Sequence, residues 1–241
     1  WKRSSKNFFK ITCPTKDLLS YLKKENIFNT DKIFYLQDAI INIHDYIKKI
    51  NENDEAFLNK VKKYDHYFLA VGRLTKQKNY LYLITEFIDY LKIEKNAILL
   101  IIGDGEEKDT LTGLIKENYL SNNVFILNDI INVYPFMKKA RALILASLWE
   151  EVGFVIVEAA FCNLFVISSD CQNGPKEFLE NGEAGYLFQS NIKNELTKKI
   201  QDFAKAEKNL KKLKIKAKKN SSNYTLFRHH LSLRKILSNE N

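Results

Sequence analysis

The segment Ser147-Leu148-Trp149-Glu150-Glu151-Val152-Gly153-Phe154-Val155-Ile156-Val157-Glu158-Ala159-Ala160 places two carboxylates, Glu150 and Glu158, on either side of a glycine. A carboxylate accepts paired hydrogen bonds from vicinal hydroxyls, so a pair at this spacing can hold two sugar rings. Gly153 leaves room for a phosphate beside a helix N-terminus, where free amides and the helix dipole favour anions. Glu158, flanked by Val157 and Ala159, sits inside an apolar helix where burial requires a partner. A second loop, Gly72-Arg73-Leu74-Thr75-Lys76-Gln77-Lys78-Asn79, sets two cations beside the next helix. Exposed amides and fixed cations make an anion site whose natural occupant is a diphosphate. The plain alternative is a turn with surface cations. Gly103-Asp104-Gly105-Glu106 allows close approach of a ligand, and is also common turn chemistry. Asn173-Gly174-Pro175-Lys176-Glu177 puts proline in a first helical turn and leaves N-terminal amides free. Neither the GxGxxG dinucleotide fingerprint nor a GxxxxGK[ST] phosphate loop occurs.

These loops must be held by the runs between them. Tyr67–Val71, Ala97–Ile102, Val124–Leu127, Ala142–Ala146, Phe165–Ser168 and Tyr186–Phe188 read as strands. Most are continuous aliphatic or β-branched runs, the pattern of strands buried on both faces of a parallel sheet. Helical stretches lie between them, at about Asn79–Ile93, Glu106–Asn118, Val133–Lys139, Phe154–Cys162 and Lys176–Glu180. Strand–helix alternation predicts an α/β, doubly wound parallel sheet, in which ligands bind outside the carboxyl ends of the strands. Before Lys62 the pattern changes. Phe8–Thr12 and Ile33–Leu36 read as strands around a helix at about Asp17–Glu25, with Thr15 as its cap. One β–α–β unit is too small to bury its own core. Residues 1–50 therefore read as the tail of a neighbouring domain and hinge, 51–65 as a linker or helix, 66–207 as the Rossmann-like domain, and 208–241 as a basic helical tail. Trp1 in place of Met fits an internal start.

The 241 residues carry 38 Lys and Arg against 29 Asp and Glu, a formal charge of +9, and 45% are hydrophobic. That balance is globular and excludes a mainly disordered chain. No apolar run approaches the roughly 18 residues needed to span a bilayer. Arginine occurs only at Arg3, Arg73, Arg141, Arg228 and Arg234. Lysine suits general surface solvation where arginine suits bidentate phosphate recognition, so the charge favours a solvated surface over a nucleic-acid groove. The lysine run Lys205–Lys219 is either a solvated helical face or a peripheral contact with an anionic membrane surface. Cys13, Cys162 and Cys171 form no CxxC pair, which argues against a disulfide scaffold or zinc site and fits a reducing cytoplasm.

Taken in order, the Gly-Arg-Leu…Lys loop, Gly-Asp-Gly, Glu150…Glu158 as E-x7-E, and Gly-Pro-x-Glu resemble the C-terminal, donor-binding half of family 4 glycosyltransferases. That family has the GT-B architecture of two facing Rossmann-like domains. The match runs from about His66 to Phe188. Trp-Glu-Glu-Val-Gly-Phe is similar to the subgroup serving capsule, lipopolysaccharide or other bacterial surface-glycan assembly. The resemblance implies a retaining transfer from a nucleotide-sugar co-substrate, a UDP-sugar foremost, to a glycan or lipid-linked acceptor, with no cofactor and no metal. No Asp-x-Asp occurs, in keeping with that. It implies that Arg73 and Lys78 bind the diphosphate, Glu158 the ribose, Glu150 the transferred sugar, the backbone at Asn128-Asp129 the base, and Gly174-Pro175 the donor sugar. Gly72, Gly103, Gly153, Phe154 and Val155 complete the implied donor site. The spacing to Glu158 favours Glu150 over Glu151. The implied acceptor domain is almost wholly missing, and His44, His66, His229 and His230 match no catalytic histidine. Phe8–Ile43 resembles the last unit of that domain and Tyr224–Ile236 the final helix crossing back to it. Rival readings are a GT-B sugar-nucleotide epimerase, a non-catalytic nucleotide-sugar-binding module or split-enzyme subunit, and a nucleic-acid binder.

Overall fold

The computed structural model describes residues 7–52 and 67–238. The expected linker, apart from Asn51 and Glu52, and His66 lie outside these residues. Six strands, β3 (Tyr67–Val71), β4 (Ile98–Ile102), β5 (Val124–Leu127), β6 (Ala142–Leu145), β7 (Phe165–Ser169) and β8 (Tyr186–Phe188), form one sheet in the order β5-β4-β3-β6-β7-β8. Every pairing is parallel. Alternate residues serve two cores: Phe68 and Ala70 of β3 face one, Tyr67 and Leu69 the other. The same alternation in β4, β6 and β7 explains why these runs are apolar throughout. The first face is covered by α3 (Tyr80–Leu91), α4 (Lys108–Glu117) and α8 (Glu195–Lys205). The second is covered by α5 (Tyr134–Lys139), α6 (Phe154–Phe161) and α7 (Gly174–Phe178). β3, β4 and β5 run outward one way and β6, β7 and β8 the other, so right-handed crossovers deliver their helices to opposite faces. The order reverses between β3 and β6.

The N-terminal unit has β1 (Ile11–Cys13) and β2 (Ile33–Tyr35) in parallel pairing around α1 (Lys16–Lys24), with Thr15 Oγ1 capping α1 through Leu18 N at 3.2 Å. Both strands are shorter than expected. A helix absent from the sequence reading, α2 (Ile43–Lys49), follows, because the Asn42 side chain accepts from His44 N and Asp45 N. α7 starts two residues earlier than expected, with Pro175 in its first turn.

The C-terminal helices belong to the same packing. α9 (Glu207–Ser221) begins after a break at Ala206, packs on α6 and buries Ala217 in the second core. The expected boundary at 207 and 208 thus falls inside a helix that is joined to the sheet. Ile40 N and Ile41 N both donate to Tyr224 O at 2.9 Å, and α10 (Leu226–Ser238) runs on to meet Gln37 O through His229 Nδ1 at 2.6 Å.

A buried carboxylate fastens the first face. Glu86 of α3, only 2% exposed, accepts from Asn194 N (2.8 Å), Thr197 N (3.0 Å) and Thr197 Oγ1 (2.9 Å). It occupies the N-terminus of α8, where amides lack helical partners. Glu86→Ala strands these donors in a closed interface, and urea unfolding should show a loss of about 2–3 kcal/mol; an unchanged midpoint would contradict the capping role.

Candidate functional site

The loops singled out in the sequence leave the carboxyl ends of β3, β4, β6 and β7, at and beside the reversal in strand order, where open α/β sheets bind ligands. On one side the β3 and β4 loops are laced by backbone. Gly72 N donates to Ile102 O (3.0 Å), Leu74 N to Asp104 O (2.8 Å) and Glu107 N to Leu74 O (2.9 Å). A Cβ at Gly103 would stand 1.9 Å from Gly72 O, so this approach requires glycine. On the other side Leu148 N donates to Gln77 O (2.8 Å), and Gln77 Nε2 to Trp149 O (2.8 Å).

At the centre Lys78 Nζ lies 2.5 Å from Glu150 Oε1, with side chains 16% and 8% exposed. Ser147 Oγ donates to the same oxygen at 2.6 Å. Lys78 closes a 3₁₀ turn just before α3, so it is carried to the reversal point by a short, fixed path from β3. Burial pushes the Tyr80 phenol up, and the Glu150 carboxylate adds to that shift. The pair is therefore a neutralised unit in a largely closed environment, where removing either partner leaves an uncompensated charge.

Glu150 is also tied to the β7 loop. Asn173 Nδ2 lies 3.4 Å from Glu150 O, and Gly174 N donates to Glu151 O at 2.7 Å. A Cβ at Gly174 would lie 2.1 Å from Val152 O, which sets Gly174-Pro175 against the β6 loop. Gly153 caps α6 in the left-handed region (φ 74°), Phe154 is half-exposed at the first helical position, and Val155 is buried. Arg73 is exposed and pairs with no carboxylate among the described residues.

Two expected members stand outside this network. The side chains of Asn128 and Asp129 bond to one another at 2.5 Å in an exposed turn after β5. Glu158 is met by the Tyr134 hydroxyl at 3.5 Å, and Tyr134 stands edge-on to Tyr46 with centroids 5.4 Å apart. Burial raises the Glu158 carboxyl, opposed by the Tyr134 hydrogen bond and by Lys49. The carboxylate thus stands in an apolar helix against its desolvation cost, with the Tyr134 hydroxyl as its hydrogen-bond partner. Ser147, Gln77, Asn173 and Tyr134 were not singled out by sequence reasoning. The first three sit inside the loops that were, whereas nothing in the sequence pointed to Tyr134.

Beside this site a cavity of about 870 Å³ opens between α1 and the β7–α7 loop, lined by Lys16, Asp17 and Tyr21 on one side and Asp170, Gln172 and Lys176 on the other. Glu177 spans it, accepting from Lys16 N at 2.7 Å.

The model of the family "Glycosyl transferases group 1" matches residues 51–220. The chain belongs to that family. This group 1 glycosyltransferase is 32% identical over 154 residues to an N-acetylgalactosamine-N,N'-diacetylbacillosaminyl-diphospho-undecaprenol 4-alpha-N-acetylgalactosaminyltransferase of Campylobacter jejuni, a match covering 64% of this chain and 41% of the relative. It is 30% identical over 180 residues to the amylovoran biosynthesis glycosyltransferase AmsD of Erwinia amylovora, covering 73% and 48%. Its relatives thus include an enzyme of polysaccharide biosynthesis, and the chain spans less than half the length of either. In fold it is similar to the Anabaena protein HepE in complex with UDP, at a TM-score of 0.83 and 17% identity, covering 98% of this chain and 65% of that one. The fold is that of GT-B glycosyltransferases, and no described helix is long and apolar enough to cross a membrane.

The raised Glu158 carboxyl fixes a pH dependence. Just above the ordinary value of 4.5, the folded chain retains a proton that the unfolded chain has released. Stability therefore falls as pH rises through the window from that value to the folded one, and stays reduced above it. Glu158→Gln should raise the thermal midpoint at pH 7 relative to wild type and flatten the change between pH 4 and 7. A lower midpoint at pH 7 would show that the charged form is favoured by the fold.

Proposed function

We propose that this glycosyltransferase takes a sugar from a nucleotide-sugar, a UDP-sugar first among them, and transfers it with retained configuration to a glycan or lipid-linked acceptor in bacterial surface-polysaccharide assembly. The observation that carries the reading is the Lys78–Glu150 pair, 2.5 Å apart at the reversal of strand order, with Arg73, which meets no described carboxylate, in the same β3 loop as Lys78. Arg73 and Lys78 bind the diphosphate and stabilise the charge that grows on it as the sugar departs. Glu150 holds the hydroxyls of the transferred sugar, and Glu158 those of the ribose. The amides and small residues at Gly72, Gly103, Gly153 and Gly174-Pro175 let the donor approach the backbone, Phe154 and Val155 open α6 beside it, and the turn at Asn128-Asp129 meets the base.

In the reaction the bond from the anomeric carbon to the phosphate oxygen breaks and one to the acceptor oxygen forms on the same face. The acceptor proton passes to the leaving phosphate, and no metal or cofactor is used. The acceptor enters from the cavity between α1 and the β7–α7 loop, where Asp17, Asp170, Gln172 and Lys176 offer hydrogen bonds to hydroxyls. In this reading residues 66–207 together with the rest of α9 form the donor domain, residues 1–50 belong to an acceptor domain, and the tail beyond α9 is the helical return to it. The enzyme works in the cytoplasm, with a peripheral contact to the inner membrane face.

The division of labour separates by calorimetry. Arg73→Ala should weaken UDP by at least about 10-fold, the cost of one charge-assisted contact. Glu158→Ala should weaken UDP and a UDP-sugar equally, and Glu150→Ala only the UDP-sugar. Equal losses of UDP affinity in both glutamate variants would overturn the assignment, and undiminished binding by Arg73→Ala would remove that loop from the site.

A further inference from the structure

The carboxyl ends of the strands form one edge of the parallel sheet, and the donor loops occupy it. At the opposite edge, where Arg141 precedes β6 and Phe165 opens β7, lies a second cavity of about 340 Å³. Its cations come from two elements: Arg141 from the loop entering β6, Lys211 and Lys214 from α9. Its apolar lining is Phe165, Phe203, Leu210 and Ile215, the last 58% exposed at the mouth. No described acidic side chain lines it.

The arrangement is fixed. The Arg141 guanidinium lies over the rings of Phe68 and Phe203, at 5.6 and 5.4 Å, and its amide donates to Tyr67 O at 2.9 Å. Lys211 and Lys214 stand one turn apart on α9 and share a face. Two residues further on, Lys216 points to the other side of the helix, where Glu180 and Glu183 both pair with it. α9 therefore has a neutralised side and a side whose cations meet no described carboxylate. Burial depresses the Lys214 ammonium, as expected of a cation partly withdrawn from water with no described carboxylate beside it. A dianionic group is what three converging cations lack, and an aliphatic chain is what the adjoining side chains fit.

We propose that this pocket binds a phosphate carried on an aliphatic chain, the head group of an anionic lipid, and so seats the sheet edge opposite the donor loops on a membrane surface. Exposed Lys218, one turn after Lys214 on the same face of α9, adds attraction to the same surface. The proposal locates the membrane contact of the preceding reading, but its phosphate chemistry stands apart from the donor site.

Titration calorimetry with hexyl phosphate and inorganic phosphate, and sedimentation with phosphatidylglycerol or phosphatidylcholine vesicles, test it on the whole chain. Hexyl phosphate should bind one to one, about 10-fold tighter than inorganic phosphate through its buried methylenes. Lys214→Gln should weaken hexyl phosphate about 10-fold and cut capture by phosphatidylglycerol vesicles, with phosphatidylcholine capturing little of either form. Because Lys214→Gln removes an unaccompanied cation, its thermal midpoint without ligand should not fall, which guards against the risk that Arg141→Gln loses the ring contacts and folds poorly. Lys198→Gln, an equal charge change at an exposed position of α8, should leave binding unchanged. UDP affinity should be the same in Lys214→Gln and Lys198→Gln as in the wild type, so failure here leaves the donor reading standing. Equal losses in Lys198→Gln and Lys214→Gln, or inorganic phosphate matching hexyl phosphate, would overturn the pocket. Equal capture by both vesicle types would overturn its membrane role.

Discussion

Lys78 and Glu150 lie 72 positions apart in sequence and 2.5 Å apart in space. Their meeting depends on β3 and β6 being neighbours at the point where the strand order reverses. That pairing in turn requires two apolar faces on each strand, so the ion pair rests on the alternation of Phe68 and Ala70 with Tyr67 and Leu69. A pair this enclosed persists only when its remaining hydrogen-bonding capacity is met, and the Ser147 hydroxyl meets part of it. Ser147 is itself held, since its carbonyl accepts from Ser169 Oγ at 2.6 Å on β7. The chain of contacts runs from Lys78 through Glu150 and Ser147 to the β7 loop, and Asn173 closes it. The three loops are thus tied by one chain of hydrogen bonds.

Two consequences follow for the chemistry. Any anion arriving at Lys78 competes with a carboxylate already there, whereas Arg73 meets no described carboxylate. The β7 loop, fixed to Glu150 on one side, is linked on the other to the N-terminal unit by Glu177 and the Lys16 amide. The Tyr35 phenol, pushed up by burial and then by Tyr224 and Glu177, belongs to that same junction. The β6 and β7 loops and the cavity beside α1 therefore share one set of supports.

The strands of the sheet were legible because a doubly buried parallel strand has to be apolar at every position, a pattern few other elements share. The glycine-rich loops were legible because close backbone approach leaves a residue type as its mark, as at Gly103 against Gly72. What was not legible arose from long-range encounters. The ion pair places Lys78 against a carboxylate when sequence reasoning left it free for phosphate. Glu86 reads as an ordinary surface residue of α3, and only the packing of α8 reveals it as a cap. Tyr134 as partner of Glu158 likewise depends on how α5 lies against α6. α2 was missed although Asn42 is a sound capping residue, because its seven residues offer too little periodicity to register. The lysine-rich stretch of α9 looked uniform in sequence, whereas packing divides it into a side paired with Glu180 and Glu183 and a side lining the second cavity.

The most direct test of the central pair is a double-mutant cycle on UDP affinity with Lys78→Met, Glu150→Gln and the two combined. If Lys78 is shared between Glu150 and the diphosphate, Lys78→Met alone should weaken UDP. Glu150→Gln alone should leave UDP as tight or tighter, because it releases the ammonium. The loss on removing Lys78 should then be larger in the Glu150→Gln background, a coupling that contact pairs show and independent sites do not. UDP binding unchanged by Lys78→Met in both backgrounds would contradict the account.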